Sequence, residues 1–211
     1  MLTVFGCPNS RSLRTVWALE EADAEYNYVF VDLFKGAGRQ PAFLAINPAG
    51  KVPALRLDDG AVITETGAIG LWVAEHFADA GLLPTDAAAR AQAWRWLCYC
   101  LTELEQPLWT IAKHRFALPE KRRLPAIEDT ARWEFGKAAD LLARRLETSP
   151  WLAGEHFSLA DIVASHCLAW AKSAKVSLEG SVLPAYLERN WARPALQRAL
   201  AREAAEKEKQ S

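Results

Sequence analysis

Cross-linking residues are scarce in this sequence. Its 211 residues include four cysteines, at positions 7, 98, 100 and 167, and their spacing fits neither a disulfide framework nor a zinc site. Cys98 and Cys100 share one helical pattern about 200° apart around its axis, so they cannot hold one metal. His76, His114, His156 and His166 form no ligand-spaced set, and no metal is expected. An excess of charge is missing too. The formal net charge is −1, with both signs interspersed, which argues against a nucleic-acid-binding surface. No apolar run is long enough to cross a bilayer, so no membrane partner is expected. The N-terminus lacks the basic-then-apolar pattern of a secretory leader. A reduced, cytoplasmic protein is the expectation. Repeats and low-complexity segments are absent, and no credible strand follows Ala87.

What is present is apolar and aromatic. Apolar residues make up 51% of the chain and nine are Trp, enough for a substantial core in one large domain or two small ones. Leu2 to Phe5 reads as a strand and Ser10 to Ala22 as a helix, with Leu13, Val16 and Trp17 at helical spacing. Tyr26 to Val31 is a second strand. After an irregular stretch, Val52 to Leu57 and Ala61 to Thr64 read as a hairpin around Asp59-Gly60. Thr66 to Phe77 reads as a helix. This β-α-β, then β-β-α order is that of a small mixed-sheet unit of thioredoxin-like topology, placed at residues 1–78. A Gly-, Pro- and Asp-bearing linker follows at 79–87. Residues 88–211 form an all-helical domain with patterns at 88–116, 128–147, 158–172, 183–190 and 193–208, punctuated by prolines. The charged segment after Ala201 is expected to fray. Ser158 and Asp161 form a variant capping box at one helix start, a folding element rather than a catalytic one.

The chemistry-bearing stretch is "GCPNSRSLR", Gly6 to Arg14. It offers Cys7, Asn9, Ser10 and Ser12 where the first helix begins. A hydroxyl there can cap the helix or donate to an anion held at its N-terminus. A cysteine there can act as a nucleophile if its thiol is acidified.

The whole chain resembles the soluble glutathione S-transferase family. Three motifs carry the likeness in order and spacing: "NPAGKVPAL" (Asn47 to Leu55), "ITETGAI" (Ile63 to Ile69) and "FSLADI" (Phe157 to Ile162). The resemblance implies an α/β thioredoxin-like domain with a mixed four-stranded sheet, followed by a helical bundle. It implies glutathione as co-substrate and a small hydrophobic electrophile as its partner. It implies a cis bond at Val52-Pro53, with the Val52 backbone pairing the cysteinyl backbone of glutathione. Glu65 and Thr66 would hold the γ-glutamyl end, and Arg39 and Lys51 the glycyl carboxylate. The family's usual serine is threonine at position 66, which keeps the hydroxyl. Against serine-type members, Ser10 falls at the hydroxyl that stabilises the thiolate, with Cys7, Ser12 and Asn9 as alternatives. "CPNS" also resembles the glutaredoxin motif, in which Cys7 would form a mixed disulfide. Tyr99 and Trp109 are candidates for the electrophile pocket. Three functions stay open: a transferase that conjugates glutathione and reduces organic hydroperoxides, a thiol-disulfide oxidoreductase using Cys7, and a non-catalytic binding or structural protein. A homodimer is expected.

Overall fold

The computed structural model describes residues 1–209. Four strands, β1 (Leu2–Gly6), β2 (Tyr26–Phe30), β3 (Ala54–Arg56) and β4 (Val62–Thr64), form one sheet in the order β2-β1-β3-β4. β1 pairs parallel with β2 and antiparallel with β3, and β3 pairs antiparallel with β4. The sheet is therefore mixed, as its residue pattern implied. β1 is buried along its whole length. It is a central strand covered on both faces, which explains why it reads as a continuous apolar run rather than an alternating one. Phe5, Val31, Phe43 and Ala54 pack as one cluster beside it.

The parallel β1–β2 pair requires a crossover, and helix α1 (Ser12–Glu21) supplies it. The irregular stretch after β2 contains a 3₁₀ turn at Ala37–Arg39 and the short helix α2 (Pro41–Leu44). Helix α3 (Thr66–His76) follows β4 directly.

Contacts divide the chain into two compact units. One is Met1–Leu83 with the C-terminal segment from Ala192; the other is Pro84–Trp191. The sequence pattern had grouped the last helix, α9 (Pro194–Glu208), with the other helices. Its contacts put it in the first unit, against α1 and β2. Arg193 donates two hydrogen bonds to Glu21, at 2.6 and 2.8 Å. Arg198 reaches Glu20 at 2.9 Å. The charged segment expected to fray is helical through Glu208, because these guanidinium forks tie α9 to α1.

The second unit contains α4 (Ala87–Tyr99), α5 (Glu105–Ala112), α6 (Ile127–Glu147), α7 (Leu159–Ser173) and α8 (Val182–Trp191). The helix expected over 88–116 is interrupted by π-helical turns at Cys100–Leu104 and Lys113–Ala117. Pro107 accounts for the first interruption. It has no N–H for the Glu103 carbonyl, and the widened turn relieves its ring. The capping box at Ser158 is complete. Asp161, fully buried, also accepts from Leu152 N–H at 3.0 Å and Tyr186 O–H at 2.7 Å, so one carboxylate joins three segments of this unit.

Candidate functional site

The turn from β1 into α1 is built by close approach. A Cβ on Gly6 would lie 2.6 Å from the Tyr28 hydroxyl oxygen and 2.9 Å from Ser12 Cβ, so only glycine fits there. Asn9 takes a left-handed backbone, φ 59°, which re-aims the chain before the helix. α1 then starts at Ser12, two residues later than the apolar pattern indicated.

The four candidates of this turn differ sharply in access. Cys7 and Ser12 are buried, Asn9 is exposed and Ser10 is half-buried. Burial pushes the Cys7 thiol up, helped by the nearby Asp32 and Glu203 carboxylates and opposed by a hydrogen bond from the Leu33 backbone. The acidified thiol that a nucleophilic cysteine needs is thus absent at Cys7: desolvation outweighs the hydrogen bond from the Leu33 backbone. Ser12 Oγ accepts from Cys7 N–H at 3.0 Å and lies 2.7 Å from the Cys7 carbonyl and 2.8 Å from Glu203 Oε1. Its single proton serves internal acceptors. Ser10 Oγ accepts the first-turn N–H of Ser12 at 3.1 Å and donates to the Cys7 carbonyl at 2.6 Å. It therefore takes the Ser12 N–H with a lone pair and gives its proton to the Cys7 carbonyl, from a half-buried position at the edge of the turn.

Glu203 was not singled out by sequence. It is 2% exposed, and burial raises its carboxyl from 4.5 to about 7, against the pull of hydrogen bonds from Ser12 and Tyr28. A signal existed. Leu196, Ala199 and Glu203 lie on one helical stripe, and the first two are buried apolar residues.

The other candidates gather at two places. Glu65 precedes α3 with φ 68° and ψ 122°, a region that side-chain-bearing residues seldom occupy. Its side chain caps nothing and is exposed, which sets aside a plain helix cap. Strain of this kind gathers at ligand sites. Thr66 is buried, and its Oγ1 lies 3.4 Å from a guanidinium nitrogen of the fully buried Arg14. A hydroxyl, a helix N-terminus and a buried cation thus stand beside an exposed carboxylate.

The second place is the loop before β3. The Val52-Pro53 peptide is cis. The ladder between β1 and β3 ends at Ala54, so the Val52 backbone lies beyond it. Asn47 shapes this loop by donating to the Lys51 carbonyl at 2.7 Å and accepting from Ala49 N–H at 3.1 Å. Arg39 is brought to the same loop, with its guanidinium 3.5 Å from the Ala49 carbonyl, and Lys51 is exposed two residues on. Gly50, at φ 65°, lets Gly38 and Arg39 approach.

In the second unit the Tyr99 hydroxyl donates to the Ala138 carbonyl at 3.0 Å, tying α4 to α6, and burial pushes its pKa up to about 12. Trp109 is half-buried on α5. A cleft of about 860 Å³ in this unit is lined by Lys172, Val176, Leu187 and Trp191 among others, and by neither Tyr99 nor Trp109. Among the described residues no His, Cys, Asp and Glu cluster could hold a metal ion, and no helix is long and apolar enough to cross a membrane.

Residues 1–75 match the family model described as glutathione S-transferase, N-terminal domain, and residues 125–202 match its C-terminal domain. Glutathione S-transferase GstA of Escherichia coli O157:H7 is 32% identical over 96% of this chain and 98% of its own length. Disulfide-bond oxidoreductase YfcG of Escherichia coli strain K12 is 32% identical over 95% of this chain and 94% of its own. Among solved structures, a glutathione transferase from Methylococcus capsulatus superposes with TM-score 0.87 at 33% identity, covering 97% of this chain and 100% of that one. A glutathione transferase homologue from Sulfitobacter, crystallised with bound glutathione, gives 0.81 at 30% identity, covering 94% and 96%.

Proposed function

The chain belongs to the glutathione S-transferase family, and from that membership we propose that it is a transferase using Ser10 to join the glutathione thiolate to small hydrophobic electrophiles. The observation that carries the serine assignment is the hydrogen-bond arrangement at the start of α1. Ser10 is the half-exposed hydroxyl of the turn, whereas Ser12 is buried among internal partners and Cys7 is a buried thiol of raised pKa.

A free thiol has a pKa of about 8.5, so little of it is thiolate at neutral pH. Lowering that value by two units takes about 2.7 kcal/mol. Ser10 can supply much of it by turning its proton from the Cys7 carbonyl to the bound sulfur. Its Oγ already accepts a helix N–H, which polarises the O–H toward donation. Thr66 and the α3 N-terminus suit the γ-glutamyl carboxylate, and Glu65 the α-ammonium. The Val52 backbone would pair the cysteinyl unit as an added strand does. Arg39 and Lys51 would face the glycyl carboxylate. In this reading the first unit carries the glutathione site and the helical unit Pro84–Trp191 the electrophile, with Tyr99 and Trp109 as candidate contacts. Reduction of organic hydroperoxides uses the same thiolate. The compartment is cytoplasmic and the assembly a homodimer.

A second reading, thiol-disulfide exchange, is favoured by the likeness to YfcG. The buried, raised thiol of Cys7 does not favour that residue as its nucleophile.

Rates on an aryl halide, an organic hydroperoxide and a glutathione mixed disulfide separate these readings. Ser10→Ala is expected to slow aryl-halide conjugation roughly 10- to 100-fold, the worth of one hydrogen bond to a charged group. Cys7→Ser should leave that rate within about threefold, a loss under 1 kcal/mol. Abolition of every activity by Cys7→Ser, with Ser10→Ala intact, would reverse the assignment.

A further inference from the structure

Glu203 reaches the hydroxyl pair of the α1 turn from the far end of the sequence. It is 2% exposed. Its Oε1 accepts from Ser12 Oγ at 2.8 Å and from the Tyr28 hydroxyl at 3.2 Å. Ser12 Oγ is also 2.7 Å from the Cys7 carbonyl and 2.9 Å from Ser10 Oγ, and Ser10 Oγ is 2.6 Å from that same carbonyl. Two hydroxyls, with one proton each, thus serve the Cys7 carbonyl and Glu203. We propose that Glu203 is a positioning residue that decides whether the Ser10 proton is held inside the turn or released to a bound sulfur. The inference rests on the reading that Ser10 meets the glutathione sulfur.

The proton count gives the mechanism. When Glu203 is ionised, Ser12 donates to it, and the buried Cys7 carbonyl takes its hydrogen bond from Ser10. Turning Ser10 toward a sulfur then leaves that carbonyl unsatisfied, which is costly. When Glu203 gains a proton from solvent, its O–H donates to Ser12 Oγ. Ser12 donates in turn to the Cys7 carbonyl, so that carbonyl stays satisfied when the Ser10 proton turns toward a sulfur. No bond other than hydrogen bonds changes, and the one added proton stays on the carboxyl.

The surroundings suit such a group. Ser12 on α1 and Tyr28 on β2 face it directly, Tyr26 on β2 and Cys7 after β1 lie within its field, and Arg202 and Lys207 are the nearby cations on its own helix. Burial holds its carboxyl at about 7, so both protonation states are populated near neutrality.

The test follows the thiol of bound glutathione by its thiolate ultraviolet absorbance against pH. The proteins are full-length wild type, Ser10→Ala, Glu203→Gln and the double variant. A Gln amide nitrogen in the place of Oε1 can donate to Ser12 Oγ, and to the Tyr28 hydroxyl oxygen beside it, so it imitates permanently the donation that the protonated carboxyl makes to Ser12. Glu203→Gln should lower the bound thiol pKa by about one unit, a tenfold gain in the thiolate-to-thiol ratio. In the Ser10→Ala background the same change should shift nothing, because there is no Ser10 proton to release. A rise or no change in the single variant overturns the inference. So does an equal shift in both backgrounds, which marks a through-space charge effect. If Ser10→Ala alone leaves the thiol unmoved, the Ser10 reading fails and this inference with it. Tyr28→Phe is an independent arm should Glu203→Gln not fold. It removes a donor to the carboxylate, so the wild-type inflection near neutrality should move to higher pH; an unmoved inflection overturns the inference.

Discussion

At residue 203 the helical stripe that carries Leu196 and Ala199 into the core carries an acid instead. Its carboxyl titrates at about 7 rather than 4.5, chiefly because burial penalises the charge. The consequence for stability has a definite sign. Between those values the native state holds a proton that the unfolded chain has released, so stability falls as pH rises. The contribution is complete below about 4.5 and lost above about 7, and amounts to about 3 kcal/mol at most. Glu128 acts in a separate window. Hydrogen bonds from Arg115 and Arg132 hold it down at about 2, so its contribution is present above 4.5 and lost as pH falls toward 2. Urea midpoints of wild type and Glu203→Gln, taken from pH 4.5 to 7.5, should converge or cross as wild type weakens; parallel curves would remove the account of Glu203. Little of this was legible beforehand. Ser10, Cys7 and Ser12 were visible as candidates, but the difference in burial on which the Ser10 proposal rests depends on a helix about 190 residues away.

Two helix N-termini build the candidate site, and they work differently. At α1 the Ser10 hydroxyl accepts the Ser12 N–H and donates to the Cys7 carbonyl, and the Ser12 hydroxyl accepts the Cys7 N–H. At α3 the side chain of the N-cap residue Glu65 makes no cap, and its backbone is held at φ 68°. The open end of α3, with Thr66 and buried Arg14, suits a carboxylate remote from the reacting sulfur. Thr66→Ala is therefore expected to weaken glutathione binding about fivefold to tenfold, one hydrogen bond's worth, and to leave the saturated rate nearly unchanged. Calorimetry and saturation kinetics check it together. Unchanged binding, or a loss confined to the saturated rate, would take Thr66 out of the glutathione site. Strand and helix identities were readable because their apolar periods are strong. The breaks were harder. The π turn at Cys100–Leu104 follows from Pro107, whose missing N–H was visible but whose helix stays continuous in apolar pattern. The start of α1 at Ser12 reflects the left-handed Asn9, which no periodicity reveals.

For the molecule as a whole, the apolar surplus on α3 and α4 motivates a dimer. Folding covers Ile69, Val73 and Leu97 within the chain itself. Leu71, Trp72 and Leu101 stay half-exposed and Trp94 is 44% exposed. The surplus is smaller than the sequence suggested, and it is rich in Trp, a residue favoured at interfaces. Light scattering at micromolar concentration with glutathione should give about twice the 23.4 kDa of one chain. A mass of one chain would contradict the dimer. The two-part organisation was legible from the point where strand patterns stop. The allegiance of α9 was not, because Arg193–Glu21 and Arg198–Glu20 join residues too distant in sequence for any local pattern to link.

The claim on which the rest depends is that Ser10 meets the sulfur. A crystal structure of the wild-type protein with reduced glutathione tests it most directly. The sulfur should lie within hydrogen-bonding reach of Ser10 Oγ, with Ser12 still against Glu203 and Cys7 Sγ still buried. A sulfur bonded to Cys7 Sγ, or placed against Asn9 or Ser12 with Ser10 turned inward to the Cys7 carbonyl, would contradict it.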